Sequence, residues 1–210
     1  MIIKVCGMRR IANILQVAAL GVDWIGLIFY PGSKRYVNSE DGEALADLLQ
    51  QATFRKVGVF VNAPARELKA TADRYRLDYL QLHGKESPAD CRRLRDEGHS
   101  LVKAFAIASE EDLRTTASFE GAADYFLFDT PSDAYGGSGR SFDWTILQAY
   151  DGATPFLLSG GIHPGSLDKV RRFRHPRFAG IDLNSGFESA PGLKDPALLA
   201  PFIHSLKTNN

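Results

Sequence analysis

The 210-residue chain balances 25 Lys and Arg against 25 Asp and Glu, which gives no reason to expect a nucleic acid or an anionic membrane as partner. No stretch approaches the roughly 20 apolar residues that a membrane-spanning helix needs. With 44% hydrophobic and 24% charged residues it has a soluble globular composition, and one domain over residues 1–210 is expected, near the lower size limit for an eightfold barrel.

Met1 to Val5 shows no basic region leading into an apolar run, so no secretory signal is read and the cytoplasm is the expected location. From there, short apolar runs alternate with amphipathic segments, as in a parallel sheet with crossover helices. The first run, 2–6, ends on Cys6; Ile11, Ile14, Leu15, Ala18 and Ala19 then follow the spacing of a one-sided helix. Runs at 23–29, 56–61 and 78–82 come next, the last ending just before His83. Ser87-Pro88 opens a helix in which Cys91 packs at helical spacing from Leu94. The run 101–106 precedes a helix start at Ser109-Glu110-Glu111-Asp112, and 124–129 closes on Asp129. The glycine-rich segment from Gly136 to Trp144 reads as a mobile lid over the sixth strand, with Asp143 capping the next helix. Runs at 155–158 and 179–183 follow, and Asp195-Pro196 opens a last helix with Leu199, Phe202, Ile203 and Leu206 on one face.

Eight such units close into a (β/α)8 barrel or lie in an open doubly wound sheet, and periodicity does not separate these. Motif position favours the barrel, whose functional residues gather where strands end and βα loops begin. Cys6, Arg35, His83, Asp129, Ser159-Gly160-Gly161 and the segment Asp182 to Gly186 all sit at such points.

Cys6 is either a buried structural thiol or, at a strand end, a base or nucleophile if a nearby cation lowers its pKa. Asp129 is either a turn residue or a carboxyl whose burial keeps a proton available for donation. Together they would make a proton-transfer pair that suits isomerisation better than hydrolysis. Gly160-Gly161 and Ser185-Gly186, at the ends of adjacent late strands, are candidate phosphate turns, the alternative being two ordinary tight turns. Arg35 is a solvated loop residue or a fork for a carboxylate, and His83 a donor to substrate or a supporting residue. Cys6 and Cys91 lie far apart with no CxxC pattern, so neither a disulfide nor a metal site is suggested.

In order along nearly the whole chain, Lys4-Val5-Cys6-Gly7, Ser33-Lys34-Arg35-Tyr36, Gln81-Leu82-His83-Gly84, Phe128-Asp129, the Gly136 to Trp144 loop, Ser159-Gly160-Gly161-Ile162 and Asp182 to Glu188 with Pro191 to Asp195 resemble the phosphoribosylanthranilate isomerase family of tryptophan biosynthesis. The resemblance implies Cys6 as general base, Asp129 as general acid, Arg35 on the anthranilate carboxylate and both glycine turns on the phosphate. His83 and Asp182 would line the same pocket. It implies an Amadori rearrangement of N-(5-phosphoribosyl)anthranilate, a small-molecule substrate, with no cofactor and no metal; the sequence leaves the oligomeric state open, a monomer among the options. Two departures stand out: Gly165-Ser166 where the family usually carries an Asn, and Lys34 in place of a proline before Arg35. The competing expectations are a histidine-pathway aminoaldose isomerase, which uses aspartates where this chain has Cys6, and a silent phosphometabolite-binding barrel.

Overall fold

Strands flanked by helices need apolar side chains on both faces, and all eight apolar runs form strands. In a computed structural model, which describes residues 1–38, 42–130 and 143–208, they are β1 (Ile2–Val5), β2 (Trp24–Ile28), β3 (Arg55–Phe60), β4 (Tyr79–Leu82), β5 (Leu101–Ala106), β6 (Tyr125–Asp129), β7 (Phe156–Leu158) and β8 (Phe178–Leu183). Each pairs in parallel with its neighbours, and β8 returns to β1, so the sheet is a closed barrel rather than an open one. Because side chains alternate along a strand, Ile3 and Val5 face the helices while Lys4 and Cys6 face the barrel axis.

The helices are α1 (Ile11–Ala18), α2 (Gly42–Gln50), α3 (Ala65–Tyr75), α4 (Pro88–Asp96), α5 (Glu110–Arg114), α6 (Leu167–Arg172) and α7 (Pro196–Lys207). Ser87 caps α4 in a reciprocal box with Asp90, Ser109 opens α5 with Asp112, and Asp195 accepts from the Ala197 N–H. Cys91, Leu199, Phe202, Ile203 and Leu206 are buried as expected. The α1 face is rotated from its expected position: Leu15 is 51% exposed, while Asn13, Ile14 and Val17 are buried. The Asn13 amide causes the turn by exchanging hydrogen bonds at 2.8 Å with both the Lys194 N–H and the Lys194 carbonyl. After β6 the connection holds a 3-10 helix, Trp144–Ala149, capped by Asp143, because Gly152 and Pro155 leave little chain for a longer helix before β7.

At the N-terminal end of the barrel, Trp24 stacks on Tyr79 at 4.5 Å between centroids and meets Tyr125 edge-on at 5.2 Å. This aromatic floor closes the barrel below the apolar layer of Val57, Val102, Leu127 and Leu157. Trp24→Ala is expected to cost about 3–5 kcal/mol in urea unfolding. A loss below about 1 kcal/mol would mean that the stack contributes little to closing the floor.

Candidate active site

At the opposite, C-terminal end, Cys6, His83, Asp129, Gly160, Gly161, Asp182 and Ser185 line a single cleft, joined by Gln81, Ser159 and Asn184. The strand ends thus bring together residues up to 179 positions apart, Cys6 and Ser185. Arg35 and Gly186 stand just behind the wall. Gly186 packs the β8 turn against the β7 turn, where a Cβ would run into the Ile162 carbonyl and His163 Cα. Its missing side chain therefore serves close approach of two backbones.

Burial dominates the electrostatics. It pushes the Asp129 carboxyl up to about 6, against the Thr130 N–H that donates to it at 2.8 Å, and the nearby Asp182 charge adds to the rise. Burial also pushes the Cys6 thiol up, and the ammonium groups of Lys4 and Lys194 pull it back only in part. Lys4 Nζ lies 2.9 Å from Asp182 Oδ1, with neither side chain appreciably exposed. Burial pulls Lys4 down, but the Asp182 and Cys6 charges more than offset it; for Asp182, burial outweighs Lys4 and pushes the carboxyl up. The pair is charged, because a neutral acid would leave the buried ammonium uncompensated.

His83 is neutral: burial, then the charges of Lys4 and Lys103, pull its imidazole down to about 4. The Gln81 amide nitrogen donates to His83 Nδ1 at 2.8 Å, so the proton sits on Nε2. That Nε2 faces Asp129 Oδ2 at 3.6 Å, too long for a hydrogen bond and not an ion pair. Gln81 Oε1 and Thr130 Oγ1 are buried without a hydrogen-bond partner among the described residues, so the cleft keeps acceptor capacity for a hydroxyl-bearing ligand.

The two glycine turns meet at one side of the cleft. Gly160 and Gly161 take φ of +83° and +68°, values open to glycine at little cost. The N–H groups of Gly160, Gly161, Ser185 and Gly186 donate to no backbone carbonyl among the described residues. His163 and Ser166 cap the turn that follows: His163 Nδ1 accepts from Gly165 N–H and Ser166 Oγ from His163 N–H, both at 3.1 Å. The side-chain cap at the Gly165-Ser166 departure is thus supplied by His163 to the 3-10 turn, while Ser166, the N-cap of α6, makes no side-chain cap bond to that helix.

Arg35 is not a solvated loop residue, being only 8% exposed, and its stem lies across Gly7 beside Asn184 of the cleft wall. Its Nε and Nη2 grip Glu188 Oε1 and Oε2 at 2.7–3.1 Å. Glu188 opens a small hairpin, β9 (Glu188–Ala190) with β10 (Leu193–Lys194), and also takes the Lys194 ammonium at 2.5 Å and the Gly192 N–H at 3.1 Å. Lys194 in turn donates to Asn184 Oδ1 on the cleft wall. Sequence reasoning assigned no role to Lys4, Gln81, Glu188 or Lys194. Lys4 carried a usable signal, a charge in the middle of a strand buried on both faces; the others needed the register of the fold.

Of the stretch read as a lid, Gly136 to Trp144, residues 136–142 lie outside the described residues. Trp144, at the end of that stretch, is buried beneath the Lys169 ammonium, 4.1 Å from the ring centroid. Among the described residues no three His, Cys, Asp or Glu side chains are grouped to hold a metal ion, and no helix is long and apolar enough to cross a membrane.

With this geometry in place, similarity to known proteins carries weight. Residues 3–205 match the family model of N-(5'-phosphoribosyl)anthranilate (PRA) isomerase. The chain is 58% identical over 206 residues to the N-(5'-phosphoribosyl)anthranilate isomerase of Parabacteroides distasonis, covering 98% of this chain and 93% of that one. The crystal structure of phosphoribosyl anthranilate isomerase from Thermus thermophilus superposes with a TM-score of 0.86 at 28% identity over the full length of both chains. A second such isomerase, in complex with reduced 1-(o-carboxyphenylamino)-1-deoxyribulose 5-phosphate, matches with a TM-score of 0.84 at 29% identity over 99% of this chain and 100% of that one. A closed eight-stranded barrel, a cleft at its C-terminal rim and a family match over nearly every residue together establish that the chain belongs to the N-(5'-phosphoribosyl)anthranilate isomerase family of enzymes.

Proposed function

We propose that the chain isomerises N-(5-phosphoribosyl)anthranilate to 1-(2-carboxyphenylamino)-1-deoxyribulose 5-phosphate in tryptophan biosynthesis, with Asp129 as general acid and Cys6 as general base. The observation that carries the assignment is their placement: both line one cleft, from the ends of β6 and β1, and burial raises the Asp129 carboxyl to about 6, so that a minority of molecules still hold its proton near neutral pH. Asp129 protonates the ribose ring oxygen as the C1–O bond breaks, and the nitrogen lone pair of the substrate forms the iminium. The Cys6 thiolate then removes the proton on C2, and the electrons of that bond neutralise the iminium as an enolamine. Loss of the C2 hydroxyl proton and gain of one at C1 give the ketose. The electron push comes from the substrate's own nitrogen, so no cofactor or metal enters any of these steps.

The phosphate is held by the N–H groups of Gly160, Gly161, Ser185 and Gly186, which converge from two turns. His83, with its proton on Nε2, donates to the substrate, and Asp182 with Lys4 forms the charged wall beside Cys6. Arg35 receives the anthranilate carboxylate. Gln81 Oε1 and Thr130 Oγ1 take ribose hydroxyls. The thiol at Cys6 separates this reading from a histidine-pathway isomerase, and the paired acid and base separate it from a silent binder.

The test is turnover of purified protein on this substrate across pH, followed by the loss of anthranilate-linked fluorescence. The reactive form needs Asp129 protonated and Cys6 ionised, the reverse of their order of titration, since Cys6 lies higher than Asp129. Above about 6, each gain in thiolate is matched by a loss of acid. Wild-type kcat/KM is therefore expected to be flat from there until Cys6 itself titrates, and to fall on either side. Asp129→Asn should replace the plateau with a rise of about tenfold per pH unit, because only the thiolate still titrates. The substrate phosphate, losing its second proton near about 6, affects both enzymes alike. No turnover at any pH, or a flat profile for the Asn variant, would overturn the assignment.

A further inference from the structure

A guanidinium offers two edges to planar anions, a side edge made by Nε with one Nη proton and an end edge made by Nη1 with Nη2. Which edge a protein consumes decides which one a ligand meets. In this chain Glu188 consumes the side edge of Arg35, through Nε at 2.9 and 3.1 Å and Nη2 at 2.7 Å. Nη1 makes no hydrogen bond among the described residues. The Arg35 stem is pinned as well, lying across Gly7, where an added Cβ would sit 2.6 Å from Arg35 Cδ and 2.9 Å from Asn184 Oδ1. Its backbone N–H donates to Ser33 Oγ at 3.1 Å, and Ser33 lines the cleft.

Glu188 is itself fixed. Its carboxylate is 5% exposed and is held from the far side by the fully buried Lys194 ammonium and the Gly192 N–H. The β9–β10 hairpin thus ends in an anion whose place and orientation are set before any ligand arrives. Ordering a long arginine side chain costs conformational entropy, and a fixed carboxylate removes that cost from the binding step.

We propose that Glu188 is a positioning residue for substrate recognition: by occupying the side edge of Arg35 it presents the end edge, Nη1 with the outer Nη2 proton, to the carboxylate of the anthranilate ring. This rests on the assignment of Arg35 as the carboxylate receptor. Glu188 touches no reacting atom. Its contribution should appear in substrate binding and only for a substrate that carries the carboxylate.

The test compares wild type, Glu188→Gln, Glu188→Asp and Arg35→Met on two compounds, N-(5-phosphoribosyl)anthranilate and N-(5-phosphoribosyl)aniline, which lacks only the carboxylate. For the anthranilate compound, Glu188→Gln is expected to raise KM roughly tenfold, the scale of one charge-assisted hydrogen bond, with kcat within about threefold. For the aniline compound its KM should match wild type. Glu188→Asp keeps the charge beside Lys194 on a shorter stem and should recover part of the loss; it also serves if the Gln variant melts below the assay temperature. Equal loss on both compounds would mean that Glu188 only supports the fold or the charge around Cys6. A lower KM for the anthranilate compound would mean that Glu188 competes with the substrate for Arg35. Either result overturns the proposal. Arg35→Met tests the underlying assignment separately: if it does not distinguish the two compounds, Arg35 is not the carboxylate receptor, whatever Glu188 does.

Discussion

Asp129→Asn is expected to lower kcat roughly a hundred- to ten-thousand-fold while KM changes only a few-fold. The substitution keeps the shape of the side chain, and an amide oxygen can still accept the Thr130 N–H that Asp129 Oδ1 takes at 2.8 Å. What disappears is the acidic proton, so ring opening must proceed without protonation of its leaving oxygen. The variant should also be the more stable protein at pH 8. Burial raises the Asp129 pKa from 3.8 to about 6, so above that pH the folded state holds an anion that the unfolded chain would hold more easily. The penalty is full above about 6, declines as pH falls through it, and is gone below 3.8. With the side chain 23% exposed and solvent screening allowed for, the gain in urea unfolding at pH 8 should be on the order of 2 kcal/mol. A variant that is slow and also destabilised at pH 8 would point to misfolding instead.

Cys6→Ser should fall at least as far, toward the upper end of the same range. Serine is smaller and fits beneath Gly26, where even one added carbon would come within 2.7 Å of Cys6 Sγ. The site is therefore kept, and the loss is chemical. A hydroxyl ionises far less readily than a thiol, and the burial that already pushes the thiol up penalises an alkoxide further, despite Lys4 and Lys194. Since Cys6 contacts the substrate only as base, kcat should carry the loss and KM should not. Turnover of the Ser variant within about tenfold of wild type would remove Cys6 from the mechanism.

The strands and their ends were legible because parallel strands covered on both faces leave continuous apolar runs, and Cys6, His83 and Asp129 mark where those runs stop. Local capping chemistry was legible for the same reason: Ser87, Asp143 and Asp195 act on neighbours two or three residues away. Features that depend on register were not. Leu15 turns outward because Asn13 is claimed by Lys194, 181 positions further on. Arg35 reads as a loop residue until the hairpin carrying Glu188 is folded against it, 153 positions away in the chain. Lys4 sat in plain view within the first strand, but its partner Asp182 is fixed only when β8 closes onto β1 with those two residues in register.

The division of labour between Asp129 and Cys6 is tested most directly by the primary isotope effect on turnover of substrate deuterated at C2. Breaking that bond is the task assigned to Cys6 alone, so slowing it makes it limiting, whereas slowing ring opening hides it behind an earlier step. Cys6→Ser is expected to show a large effect and Asp129→Asn one close to unity. A large effect in the Asn variant, or none in the Ser variant, would contradict the assignment of acid and base.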